Sequence, residues 1–272
     1  MEKAFVKTAA GRVAYTQAGQ GAPILLIHGI PTSSFLWRNV IPELAQAFTV
    51  YAVDLLGYGD SDKPEGADLS IVAQADYVRA FMEEVGWGRG AVAGHDIGGG
   101  IAQLLALESP QAITKLILLD TIAYDSWPVP EIERLKDPAW DELLATRDLS
   151  PGFAKSFKRG MVHEERVDDQ LVAEYVRPFE GVEGRRAYLR CARALRTEDL
   201  ASVMDRVELL DVPTLIIWGE GDDFQKVEYG RRLAAAMPRA RLMVLEEAGH
   251  FVPEDRPDEV ARLIREFVRA DR

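Results

Sequence analysis

The segment Gly94-His95-Asp96-Ile97-Gly98, directly after the apolar residues 90–93, constrains this 272-residue chain more than any other. A buried strand that turns sharply into a helix lifts the middle side chain of a G-x-Nuc-x-G sequence above a sheet, and the glycines are needed because a Cβ there would clash. The middle residue here is Asp96. A serine so placed attacks acyl carbon. A carboxylate doing the same would give a labile anhydride, so aspartate suits displacement at saturated carbon, with an alkyl ester of the enzyme as intermediate. Three blander readings compete. Asp96 is a good helix N-cap residue type. His95-Asp96 could be a metal pair, but His28, His95, His163 and His250 show no ligand spacing. Gly98 to Gly100 lack dinucleotide-loop phasing, and a carboxylate in the turn would repel a pyrophosphate.

Other apolar runs also end in chemically capable residues. Residues 23–28 read as a buried strand that stops at His28-Gly29-Ile30-Pro31, with a helix expected from about Leu36. His28, at a strand end, is expected to fix that loop by hydrogen bonding rather than to move protons. Residues 241–246 read as a late strand, followed by Ala248-Gly249-His250-Phe251. His250 on this loop can reach over the sheet edge. Residues 214–218 form another strand and run into Gly219-Glu220-Gly221-Asp222, so Asp222 lies 28 residues before the histidine at a strand's C-terminal end, where catalytic groups gather in parallel sheets. Asp120, 24 residues beyond Asp96 and at the end of strand 115–119, is the alternative acid, or else a capping residue.

With these loops the chain resembles the α/β-hydrolase superfamily over nearly its whole length, and within it the aspartate-nucleophile branch of haloalkane dehalogenases, epoxide hydrolases and fluoroacetate-type dehalogenases. His28-Gly29-Ile30-Pro31-Thr32-Ser33-Ser34-Phe35-Leu36-Trp37-Arg38-Asn39 and Asp54-Leu55-Leu56-Gly57-Tyr58-Gly59-Asp60-Ser61-Asp62-Lys63-Pro64 look most like haloalkane dehalogenases. The resemblance implies an eight-stranded, mostly parallel sheet flanked by helices, with a helical cap inserted after the sixth strand. It implies Asp96 as nucleophile, His250 as the base that activates water and Asp222 as its orienting acid, with Asp120 the alternative, in the chain order of such triads. The backbone N–H groups of Ile30 and Ile97 would form the oxyanion hole. No metal and no organic cofactor is implied.

Substrate is read from the departures. Haloalkane dehalogenases grip the leaving halide with a tryptophan after the nucleophile and often an asparagine after the HG; Ile97 and Ile30 stand there instead. Another N–H donor would be required, from Trp37, Trp127 or Trp140, each of which reads first as core packing. The arginines that hold a haloacid in fluoroacetate-type enzymes correspond to Ile97 and Gly100. Epoxide hydrolases protonate the opening ring with two cap tyrosines; Tyr124, Tyr175 and Tyr188 are available, and Tyr188 fits a cap helix. Trp37, Trp127 and Tyr188 are therefore the expected pocket residues. The leading expectation is haloalkane dehalogenase-like hydrolysis of a small neutral organic substrate, with epoxide hydrolysis as the alternative. Ester or lactone hydrolysis, or a non-catalytic ligand-binding fold, follow.

The chain's organisation agrees. After an antiparallel start at residues 5–8 and 13–17, with a turn expected at Gly11-Arg12, apolar strands alternate with amphipathic helices such as 71–85 and 258–268. Between residues 124 and 206 the rhythm becomes helical, broken by Pro128, Pro130, Pro151 and Pro178. Residues 1–123 and 207–272 are thus the expected core domain and 124–206 the cap. A net charge of −12 argues against nucleic acid and anionic membranes as partners. Cys191 is the lone cysteine and cannot form an intramolecular disulfide, the N-terminus lacks a signal-like apolar region, and no run approaches membrane-span length. A cytoplasmic monomer or homodimer is expected.

Overall fold

The computed structural model describes residues 2–270, so Met1, Asp271 and Arg272 of the expected core lie outside the described residues. Eight strands form one sheet: β1 (Ala4–Thr8), β2 (Gly11–Ala18), β3 (Ala22–Ile27), β4 (Phe48–Val53), β5 (Gly90–His95), β6 (Ile113–Leu119), β7 (Thr214–Gly219) and β8 (Ala240–Leu245). Their order is β1-β2-β4-β3-β5-β6-β7-β8. β1 and β2 pair antiparallel, β2 meets β4 antiparallel, and every later pairing is parallel. This is the α/β-hydrolase fold. The central strands are apolar throughout because both faces are covered: every residue of β5 and β7 is buried. The edge strand β1 alternates instead, leaving Phe5 and Lys7 toward solvent.

The helices of the flanking layers are α1 (Ile41–Leu44), α2 (Ile71–Glu84), α3 (Ile97–Glu108), α10 (Val227–Ala236), α11 (Val252–Asp255) and α12 (Pro257–Arg269). Ser70 caps α2 by accepting the Ala73 N–H at 3.3 Å. Pro257 opens α12, with Asp258 and Glu259 in the first turn and Arg269 in the last, matching the helix dipole. Between β6 and β7 lie α4 (Pro130–Glu133), α5 (Trp140–Ala145), α6 (Ser150–Gly160), α7 (Asp169–Val176), α8 (Gly181–Arg193) and α9 (Ala201–Met204). Among the described residues no helix is long and apolar enough to cross a membrane.

Two local expectations are corrected. The β1–β2 turn is Ala9-Ala10, since Gly11 already pairs with Thr8 in the ladder. No helix runs on from Leu36: a 3-10 turn at Ser34–Trp37 precedes the short α1, because the Ser34 N–H is drawn to the buried Asp54 carboxylate at 2.7 Å.

The turn after β5 rests on close backbone approach. A Cβ on Gly94 would lie 2.1 Å from the Gly98 carbonyl oxygen, and one on Gly98 2.4 Å from that of Ile27. Gly94→Ala is therefore expected to cost about 1–3 kcal/mol. Gly66→Ala, where a Cβ meets nothing within 4 Å, should stay within about 0.5 kcal/mol of the parent. Denaturant midpoints of the two variants check this.

Candidate active site

The C-terminal ends of β3, β5, β6, β7 and the loop after β8 bring His28, Asp96, Asp120, Asp222 and His250 to one end of the sheet. Asp96 joins β5 to α3 at φ 53° and makes no side-chain capping hydrogen bond, so the N-cap reading of this residue fails. Its backbone is pinned instead: the N–H donates to Leu119, and the carbonyl accepts from Gly99 and Ile122. The carboxylate is 5% exposed, with Oδ2 accepting the Ile30 N–H at 3.0 Å. Burial pushes its pKa up to about 6, against the pull of His250 and of the Ile30 and Ile97 N–H groups. Both expected oxyanion amides thus act on this one group.

His28 is fully buried. Its Nδ1 bonds the Gly29 carbonyl at 2.8 Å, which requires the proton there, and its Nε2 accepts the Leu55 N–H at 3.0 Å. Burial lowers its pKa to about 4, so it stays neutral and holds the HG loop beneath Ile30.

Asp222, rather than Asp120, meets the histidine: His250 Nδ1 lies 3.0 Å from Asp222 Oδ2, while Asp222 Oδ1 accepts from the Phe224 and Gln225 N–H groups at 2.7 and 2.8 Å. Burial alone would lower the His250 pKa, but the charges of Asp222 and Asp96 outweigh it and the net shift is upward. Asp120 accepts the Gly219 N–H through Oδ1 at 2.8 Å, and its Oδ2 is buried without a partner. Burial and the Asp222 charge push its pKa well up, beneath the loop that carries Asp222.

A cavity of about 660 Å³ opens above Asp96 and His250, walled by Ile30, Phe224, Gln225, Phe251 and residues of α4 to α6 and α8. Of the expected pocket residues, Tyr188 lines it, and burial raises its pKa to about 12. Trp37 and Trp127 do not line it. Both are packed in the core, with their indole N–H groups buried and unpartnered. Trp140, considered beside them, does line the cavity. Tyr175 is buried and donates to Glu254, and Tyr124 lies under the Arg232 guanidinium outside the cavity lining. Gln225 was not foreseen from sequence; it is 2% exposed, lines the cavity and leaves Oε1 buried without a partner. Its one sequence signal is its place three residues after Asp222 in a polar strand-end loop. No cluster of possible metal ligands occurs among the described residues.

Residues 22–257 match the alpha/beta hydrolase fold family. The chain is 33% identical to a soluble epoxide hydrolase of Corynebacterium sp. over 268 residues, covering 90% of each protein. It is 30% identical to haloalkane dehalogenase 2 of Mycobacterium tuberculosis over 275 residues, covering 97% of this chain and 94% of the relative. A solved alpha/beta hydrolase fold protein from Burkholderia ambifaria superposes with a TM-score of 0.88 at 26% identity, covering 96% of both chains. The chain belongs to the alpha/beta hydrolase fold family. It is a hydrolase of the group whose relatives include haloalkane dehalogenases and epoxide hydrolases.

The raised pKa of Asp96 has a stability consequence. The folded carboxyl holds its proton to about pH 6, whereas an unfolded one releases it near about pH 4. Stability contributed by that proton is lost as pH rises between those values, and the charged form is disfavoured above them by about 2–3 kcal/mol. Asp96→Asn should therefore melt about 4–12 °C above the parent at pH 7.5, with the gap closing as pH falls below about 5. Calorimetric scans across pH 4–8 on the order of half-unit steps read this directly; a gap independent of pH would contradict the assignment.

Proposed function

We propose that this hydrolase opens small organic substrates at an sp³ carbon by a two-step covalent path, and that an epoxide is the substrate its cavity suits best. The observation that carries the reading is the Asp96 carboxylate: Oδ2 is held by the Ile30 N–H, which leaves Oδ1 for attack, while His250, oriented by Asp222, lines the same cavity. Oδ1 attacks the less hindered ring carbon, the C–O bond breaks, and the alkoxide takes a proton from the Tyr188 hydroxyl. His250 Nε2 then removes a proton from water, which adds to the carboxyl carbon of the ester. The Ile30 and Ile97 N–H groups hold the resulting oxyanion; on collapse the departing alkoxide takes the proton held by His250, the diol leaves, and the carboxyl proton returns to the Tyr188 phenolate, which restores Asp96. No cofactor is needed for these steps. In this reading residues 124–206 act as a cap that excludes bulk water and shapes the pocket. A cytoplasmic setting accords with the lone, buried Cys191.

Ring opening is favoured over halide loss by the groups around Asp96. Isoleucines occupy positions 97 and 30, and the Tyr188 hydroxyl is a proton donor in the cavity wall. Alkyl halides are the second reading, favoured by the sequence loops around His28 and Asp54 and by the Trp140 indole on the same wall. Two outcomes test the proposal. Incubating His250→Gln with styrene oxide should add the substrate's mass to the peptide bearing Asp96, and Asp96→Ala should abolish both label and diol; a proven substrate that never labels the inactive histidine variant sinks the covalent path. Tyr188→Phe should slow diol formation roughly 100-fold and leave bromide release from 1-bromobutane within about twofold. Efficient bromide release with unaffected epoxide turnover in that variant would favour the dehalogenase reading.

A further inference from the structure

The geometry assigns to His95 the task of holding the catalytic base of this proposed reaction in place. His95 is the last residue of β5, immediately before the nucleophile, and it is fully buried. Its Nε2 lies 2.8 Å from the His250 carbonyl oxygen, and its ring centroid 4.8 Å from that of His250. A carbonyl only accepts, so Nε2 carries the proton and Nδ1 carries the lone pair. Nδ1 is buried with no partner, so the ring has neither a second acceptor nor water to stabilise a second proton. A positive charge on His95 would also face that on His250, and both effects keep His95 neutral. It is therefore a fixed donor rather than a second base.

The surrounding contacts explain why this donor matters. The segment carrying His250 is pinned on either side, by Gly249 N–H to Asp255 at 2.8 Å and by Phe251 N–H to Gly160 at 3.1 Å. His95 supplies the tie at His250 itself, and it runs to the strand that carries Asp96. Nucleophile and base, far apart in sequence, are thus gauged from consecutive residues, the last of β5 and the first beyond it. Without the tie the His250 carbonyl is left buried and unpaired, and relief of that strain moves the imidazole relative to the ester.

The inference rests on the two-step reading, and its test separates the steps. In such a path kcat/KM reports ester formation by Asp96, and kcat reports the His250-dependent hydrolysis whenever that step is slower. His95→Phe keeps a ring against Phe251 but removes the donor. With styrene oxide, kcat should fall about 10- to 100-fold while kcat/KM holds within about threefold, with alkyl-enzyme accumulating in the steady state. His95→Gln can place an amide N–H near the same point and should recover most of the rate, whereas the shorter Asn should not. The Gln and Asn pair decides the matter even if the Phe variant does not fold. Wild-type kcat in His95→Phe, a parallel fall of kcat and kcat/KM, or equal rates for Gln and Asn would overturn the assignment. Failure of the two-step reading is told apart by His250→Gln: if that variant never labels, the mechanism is wrong, and if it labels while His95→Phe does not, only the role of His95 falls.

Discussion

Two costs meet at Asp96: a non-glycine residue held at φ 53° and a carboxylate 5% exposed. A backbone of this kind is disfavoured by about 1–3 kcal/mol and persists only where its surroundings over-determine it. Here they do. β5 is paired on both sides, Gly94 with Ile27 and His95 with Leu119, and four donors, the N–H groups of Gly99, Gly100 and Ile122 and the Thr121 hydroxyl, converge on the Asp96 carbonyl. With the backbone saturated, the side chain alone remains unspent. The carboxylate is offset in part by the Ile30 N–H and the nearby imidazole, and the rest of its destabilisation is what makes the charged oxygen poorly solvated and reactive.

That residual charge also orders the other titratable groups. Asp96, Asp120, Asp222, His95 and His250 are all less than 10% exposed within one end of the sheet. Were all five ionised, each would face like charge in a medium of low polarity. Asp120 is instead pushed toward its neutral form by burial beside Asp222, and His95 is held neutral by burial beside His250. What remains is the hydrogen-bonded pair of His250 with Asp222, and one nucleophile. Asp120 still has a structural task, since its Oδ1 holds the N–H of Gly219 at the start of the loop that presents Asp222.

Much of this was legible in the sequence because it depends on local pattern. Apolar strands closing in Gly-His, Gly-His-Asp and Gly-Glu-Gly-Asp gave the strand ends, and parallel strands put their C-terminal ends on one side. The choice between Asp120 and Asp222 was not legible: both end neighbouring strands, and the difference lies in which loop curls so that its N–H groups grip one carboxylate oxygen while the other faces the ring. Trp37 and Trp127 were misjudged as pocket residues for a related reason. Chain position locates them near the HG loop and the helical segment, but their side chains turn into the core, and only packing decides that. His95 escaped notice because its partner is a backbone carbonyl, which carries no sequence signature.

The helical segment is bound to the sheet through residues that directly follow the base. Glu254 of α11 takes a two-pronged contact from Arg38 at 2.6 and 2.8 Å and the hydroxyl of Tyr175 from α7, while Arg166 donates to the carbonyls of Glu254 and Asp255. The Asp255 carboxylate accepts the N–H groups of Val162 and His163, just past α6, as well as that of Gly249. One short turn of helix thus fixes α7, the segment that leaves the cavity-walling α6, and the loop that carries His250. Buried charge gripped by several donors resists rearrangement, since breaking one contact leaves the others uncompensated. Displacement of α6 by a bound molecule would therefore be felt at the imidazole, so that cavity shape and base position cannot vary independently in this fold.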